Sequence, residues 1–133
     1  MNQHYIQQKS RIMIIEDEIE SQKYLQLVLR KKYELDFCDS EKSMHELLSK
    51  NDYDAIIMDI SLKGGNSGVD LIKGLKRKSD YKDIPIVCLS AHLYGSDKVR
   101  AEHAGIEIYL TKPVGQKVLL NALDNIIVRN FSV

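Results

Sequence analysis

Five short apolar runs alternate with longer amphipathic stretches along this 133-residue chain, and no other feature limits its fold so severely. "RIMII" (Arg11 to Ile15) reads as a strand. Ile19 to Lys32 follows as a helix, with Leu25, Val28 and Leu29 at helical spacing. "ELDFC" (Glu34 to Cys38) is the second strand. Ser40 sits where a helix N-cap belongs, ahead of a helix that turns Met44, Leu47 and Leu48 inward. "DAIIM" is the third strand, and Val69, Leu71, Ile72 and Leu75 mark the third helix. Pro85 opens "IVCL", the fourth strand. Val99 to Ala104 belongs to a fourth helix, stopped at Gly105 by a left-handed cap. "IEIYL" is the fifth strand. Val118, Leu119, Ala122, Leu123, Ile126 and Ile127 give the last helix its apolar stripe.

Strict β-α alternation implies a parallel sheet with helices on both faces. Strands one, three and four are almost continuously apolar, as strands covered on both sides are. Right-handed crossovers then leave an α/β architecture, a doubly wound five-stranded parallel sheet of flavodoxin-like order 2-1-3-4-5. The length suits one domain, assigned to residues 11–133, behind a polar N-terminal extension at 1–10. Lys plus Arg and Asp plus Glu both number 19, which argues against a bulk electrostatic grip on nucleic acid or anionic membrane. The N-terminus lacks an apolar signal core and no stretch approaches membrane-spanning length, so the expected location is cytoplasmic. Cys38 and Cys88 each lie in an apolar run and read as small core residues, not as a disulfide or a metal site.

In such sheets ligands bind beyond the carboxyl ends of the strands, at the switch point between strands one and three. "DAIIMDISLKGG" therefore has a reading: Asp59 is a strand-end site residue, not a misplaced core residue. Glu16 and Asp17 follow strand one, Ser90 follows strand four and Lys112 follows strand five, so all five should meet on one rim. Clustered carboxylates repel unless a cation joins them. Oxygen ligands on a partly open rim favour Mg²⁺, which also binds phosphate oxygens. Lys112 adds a positive charge and Ser90 a hydroxyl. An aspartate can take phosphate as an acyl phosphate, and phosphoryl transfer asks mainly for positioning and charge neutralisation.

The pieces "IMIIEDE", "DAIIMDI", "IVCLSAH" and "YLTKPV", in that order, resemble the response regulator receiver domains of two-component signalling, the single-domain chemotaxis regulators among them. Each is weak alone; together, at these strand ends, they are specific. The resemblance covers Arg11 to about Arg129. It implies Asp59 as phosphoacceptor, Asp17 and Asp59 as direct Mg²⁺ ligands with the backbone carbonyl of Ser61, and Glu16 holding the metal through water. It implies Lys112 on the phosphoryl group, a cis peptide before Pro113, Ser90 swinging toward the phosphoryl oxygen and Tyr109 rotating inward behind it. The implied donor is a histidine on a sensor kinase or phosphotransfer protein. The implied output is a partner-binding face of helix four, strand five and helix five, through which receivers also pair as homodimers. The chain ends soon after helix five, so the expected form is a lone regulator or phosphorelay shuttle, with an excised receiver of a larger kinase left open.

Three features depart from the family pattern. Glu16 stands where an aspartate is usual. Lys63 replaces a proline in the loop after Asp59, and Gly68 arrives one residue late in "KGGNSG". Ile106 makes the turn before strand five unusually apolar; it either packs on a neighbour or is exposed. His92 either influences water attacking the acyl phosphate or is a solvated loop residue. "KGLKRKSDYK" reads as a solvated helix end, and "GGNSG" lacks the spacing of a phosphate-cradling loop. Two rivals stand beside the receiver reading. One is a non-phosphorylated pseudo-receiver that acts as an interaction module. The other is a phosphatase using Asp59 as nucleophile, opposed by Ser61 standing where a general acid is needed; a turnover enzyme is therefore not expected.

Overall fold

The computed structural model describes residues 9–61, 68–91 and 96–131, the last four by backbone alone. Residues 1–8, Lys63, most of "GGNSG" and His92 lie outside the described residues. The element order is β1 (Arg11–Ile15), α1 (Ile19–Leu29), β2 (Glu34–Cys38), α2 (Glu41–Lys50), β3 (Ala55–Asp59), α3 (Gly68–Lys76), β4 (Ile86–Ser90), α4 (Ser96–Ala104), β5 (Ile108–Thr111) and α5 (Gln116–Phe131). The five strands form one sheet in the order β2-β1-β3-β4-β5, every pairing parallel. This is the expected doubly wound, flavodoxin-like topology.

The period of two along each strand sorts the core into two layers. Ile12, Ile14, Ala55, Ile57, Val87 and Leu89 pack with Leu25 and Leu29 of α1 and Leu119, Leu123 and Ile126 of α5. Met13, Ile15, Ile56, Met58, Ile86 and Cys88 pack with residues of α2, α3 and α4. β3 and β4 are buried along their whole length, and β1 is buried from Ile12 onward. The edge strand β5 is only half-buried.

Local chemistry explains most element ends. Ser40 caps α2: its Oγ accepts from the Ser43 N–H at 3.2 Å, and the Ser43 Oγ accepts from the Ser40 N–H at 3.1 Å. α1 stops at Leu29, short of the expected Lys32. The N–H groups of Lys32 and Tyr33 both return to the Leu29 carbonyl, and buried Tyr33 ties the turn down through its hydroxyl on Asp124 at 2.8 Å. α4 ends as anticipated, with Gly105 at φ 102°. The Gly105 N–H bonds to the Glu102 carbonyl and the Ile106 N–H to the Ala101 carbonyl, the two bonds of a Schellman motif. Ile106 therefore belongs to the helix cap, not to β5, which begins two residues later; its side chain packs partly buried against the α3–α4 layer.

One expected core position is corrected. Val118 is 54% exposed. Leu119, Ala122, Leu123, Ile126 and Ile127 share an arc of about 140°, and Val118 falls roughly 110° from its centre at 100° per residue.

Candidate functional site

The parallel register builds the rim. Ile15 pairs with Met58 and Asp59 with Leu89, so Glu16, one residue beyond β1, stands beside Asp59 at the end of β3. Lys112 leaves β5 with its N–H on the Ser90 carbonyl at 2.7 Å, and the peptide to Pro113 is cis. Glu16 continues the phase of Ile12 and Ile14, and Asp59 that of Ala55 and Ile57, on the α1–α5 side. Ser90 continues the phase of Ile86 and Cys88, on the side of α3 and α4.

Glu16 and Asp59 are almost fully buried, at 1% and 2% exposure, and Ser90 is sealed at 0%. Asp17 is half-buried. Carboxylate oxygens of Glu16, Asp17 and Asp59 all lie within 4.8 Å of one another. The Lys112 Nζ bridges two of them, donating to Glu16 Oε1 at 2.8 Å and to Asp59 Oδ2 at 2.9 Å. The other Asp59 oxygen, Oδ1, accepts the Ser61 N–H at 2.8 Å, while Glu16 Oε2 accepts the Glu18 N–H at 3.2 Å. Backbone amides thus aim both carboxylates.

The electrostatics follow from this crowding. Burial pushes the Glu16 carboxyl above its usual range, Lys112 opposes the shift, and neighbouring Asp59 adds to it. Burial pulls the Lys112 ammonium down, but its hydrogen bonds to Glu16 and Asp59 outweigh that, and the net shift is upward. One ammonium shared among three carboxylates leaves the rim short of positive charge. An all-oxygen set on a partly open edge suits a hard divalent cation that keeps some of its waters.

Of the residues singled out in the sequence, Glu16, Asp17, Asp59 and Lys112 come together. Ser61 joins them through its backbone N–H. Ser90 lies at the end of the neighbouring strand, and Tyr109 is half-buried in β5, paired with Cys88. Two contributors carried no sequence signal as site residues. The Gln22 side chain donates to the Glu16 carbonyl at 2.6 Å, holding the β1–α1 turn. The Tyr24 hydroxyl donates to the Val114 carbonyl at 2.7 Å, tying α1 to the segment after Pro113. Between these elements lies a cleft of about 450 Å³, lined by Glu16 and Lys112 at one end and by Tyr24, Leu25, Pro113 and Val114 along its walls. Gly68 makes a further contribution. A Cβ there would sit 2.6 Å from Ile60 Cα and 2.9 Å from the Asp59 carbonyl oxygen, so only glycine lets α3 start against the backbone of the site.

A doubly wound sheet with an acidic strand-end cluster and a lysine bridging it defines a class, and comparison with known proteins assigns it. The family model for the response regulator receiver domain matches residues 12–124, and the chain belongs to that family. Among curated relatives, the phosphate regulon transcriptional regulatory protein PhoB of Escherichia coli is 35% identical over 112 residues, 83% of this chain. That match is 48% of PhoB, so the chain spans about half the length of this relative. Chemotaxis protein CheY-3 of Vibrio cholerae is 26% identical over 90% of this chain and 92% of its own. Among solved structures, a response regulator of Chloroflexus aurantiacus superposes with a TM-score of 0.85 at 30% identity, covering 91% of this chain and 99% of the other. The receiver domain of the Pseudomonas aeruginosa sensor histidine kinase PA1611, solved with a magnesium ion coordinated in its active-site cleft, shares the fold at 24% identity (TM-score 0.82, 90% and 98% coverage). Among the described residues no helix is long and apolar enough to cross a membrane.

Proposed function

We propose that residues 11–133 act as a phosphoacceptor receiver, taking a phosphoryl group on Asp59 from a phosphohistidine of a sensor kinase or phosphotransfer protein. The observation that carries this reading is Asp59 itself: a 2%-exposed carboxylate at a strand end, 2.9 Å from Lys112 and within 4.8 Å of two further carboxylates. A carboxylate oxygen of Asp59 attacks phosphorus. The P–O bond forms as the P–N bond breaks, and the imidazole leaves with the electron pair and takes up a proton from solvent. Lys112 already donates to an Asp59 oxygen, so its ammonium is in reach of the new phosphoryl oxygens. Asp17, Asp59 and the Ser61 carbonyl would hold Mg²⁺ directly, with Glu16 through water. The ion supplies charge neutralisation on the equatorial oxygens. Ser90 then turns to a phosphoryl oxygen and Tyr109 moves inward. These shifts bias a two-state equilibrium of the α4–β5–α5 face, where a downstream protein or a second copy binds. The acyl phosphate is lost slowly by hydrolysis; the chain is an acceptor, not a turnover enzyme on external phosphate esters.

Intact mass after incubation with a small acyl-phosphate donor tests this. One added phosphoryl group is expected on the wild type with Mg²⁺, and none with chelator or on Asp59→Asn. An adduct that survives Asp59→Asn overturns the assignment. No adduct, together with no Mg²⁺-dependent change in the protein, points instead to a pure interaction module.

A further inference from the structure

α3 and α4 pack side by side, and the groove between them is lined by basic side chains from two distant segments of the chain. Lys73 and Lys76 come from α3, Arg77 directly follows its last residue, and Arg100 and His103 come from α4. Ala104 completes the lining of a cavity of about 370 Å³. Among the described residues no carboxylate lines it, although the chain as a whole carries as many acids as bases. The sequence alone shows only half of this, because the basic stretch near Lys76 and the α4 residues lie more than twenty positions apart.

The groove is built, not merely basic. The Lys76 Nζ is fixed by the Lys82 and Ile84 carbonyls at 3.1 and 3.2 Å and by Glu107 at 3.4 Å. The Lys76 stem lies against Gly105, 3.7 Å from where a Cβ would be, which seats the end of α4 on α3. Lys73 and Arg77 are four positions apart, Arg100 and His103 three, so two short basic walls face each other. Arg100 also meets Asp97 at 3.7 Å, but that exposed pair is weak and yields readily to a stronger anion. Lys73, Arg77, Arg100 and His103 are exposed, so a ligand reaches them without rearrangement.

From this juxtaposition we infer that the α3–α4 groove binds a small anion carrying two or three linked phosphates, such as a nucleoside polyphosphate or a short inorganic polyphosphate. Arginine and lysine from both walls match phosphate oxygens, and the cavity falls at the small-molecule end of the usual size range. The walls are only about 4.5–6 Å long at 1.5 Å per residue, which suits a short phosphate chain and not a nucleic-acid duplex. The groove shares no residue with the Asp59 rim, so it stands whether or not Asp59 is phosphorylated.

The test is a ¹H–¹⁵N titration of the full chain with sodium tripolyphosphate, in metal-free buffer at constant ionic strength, with orthophosphate and a nucleoside triphosphate as parallel arms. Saturable shifts are expected at residues 73–77 and 100–104, with tripolyphosphate binding at least about tenfold tighter than orthophosphate. A nucleoside triphosphate binding more tightly still assigns contacts to the base; equal affinity assigns the phosphate chain alone. Lys73→Gln/Arg77→Gln and Arg100→Gln/His103→Gln should each weaken binding about tenfold or more with unchanged thermal melts. Lys42→Gln/Lys50→Gln on α2 should leave it intact. Shifts that never saturate, that spread equally to α2, or that persist in both groove variants overturn the inference. Saturation by duplex DNA alone does so as well.

Discussion

Lys112 answers two buried carboxylates at once, and its removal should show what they cost. In metal-free buffer near neutral pH, Lys112→Met leaves Glu16 and Asp59 buried without their shared ammonium, and a loss of about 3 kcal/mol is expected. Asp59→Asn should cost less than Lys112→Met, because it removes a like charge beside Glu16 as well as one partner of Lys112. Mg²⁺ at about ten times its dissociation constant should stabilise the wild type by about 1.4 kcal/mol through linkage, and Asp59→Asn much less. Urea unfolding with and without Mg²⁺ measures all three; a Lys112→Met protein as stable as the wild type would sink this account of the ion pairs. At this scale Glu16, Asp17, Asp59 and Lys112 were legible in the sequence, because strand ends in a parallel sheet converge whatever the loops do. The Ser61 N–H on Asp59 and the Gln22 side chain on the Glu16 carbonyl were not. A backbone donor has no residue signature, and Gln22 reaches the site only through the geometry of the β1–α1 turn.

Gly68 and Gly74 lie in the same helix and should respond oppositely to alanine. A Cβ at Gly68 meets backbone, at 2.6 Å from Ile60 Cα and 2.9 Å from the Asp59 carbonyl, and backbone cannot step aside as a flexible side chain can. Gly68→Ala should push α3 off β3, cost about 2 kcal/mol by overpacking and slow phosphoryl uptake, because the displaced segment carries Asp59. At Gly74 a Cβ meets nothing within 4 Å, so Gly74→Ala should stabilise by about 0.5–1 kcal/mol and leave uptake unchanged. Thermal melts paired with acyl-phosphate uptake rates distinguish the two; equal effects would mean that the close approach at Gly68 is not limiting. Element identities and order followed from periodicity, since a strict alternation of strand and helix signals admits few sheets. The misreadings came from ends and margins. Val118 is apolar and one residue from the stripe, but periodicity alone does not say how wide the buried arc of α5 is. Ile106 looked like a strand residue because its side chain is β-branched, whereas its N–H completes the cap of α4.

Across the whole molecule, the sheet separates a layer of α1 and α5 from a layer of α2, α3 and α4, and both cysteines lie in the second. Both are free and buried. Burial pushes the Cys38 thiol from 9.0 to about 12, Ser43 opposing and nearby acids adding. Burial does the same to Cys88, with Glu107 and Asp59 adding, also to about 12. Between pH 9 and 12 the folded chain keeps two protons that the unfolded chain gives up. The unfolded state then binds fewer protons, so stability must fall as pH rises through that window, by up to about 1.4 kcal/mol per pH unit for each thiol. Tyr33 and Tyr53, whose phenols burial also holds above their usual range, steepen the loss above about pH 10. Urea midpoints measured from about pH 8 upward should therefore decline from pH 9, and Cys88→Ala, though less stable at neutral pH, should decline less steeply. Iodoacetamide labelling gives the independent reading. Because both thiols sit inside one cooperative layer, their labelling at pH 9 should proceed at a single rate set by unfolding and accelerate together in urea. If Cys38, on the outer strand β2, labels much faster than Cys88 in native buffer, the sheet edge opens on its own and the layer is not one cooperative unit.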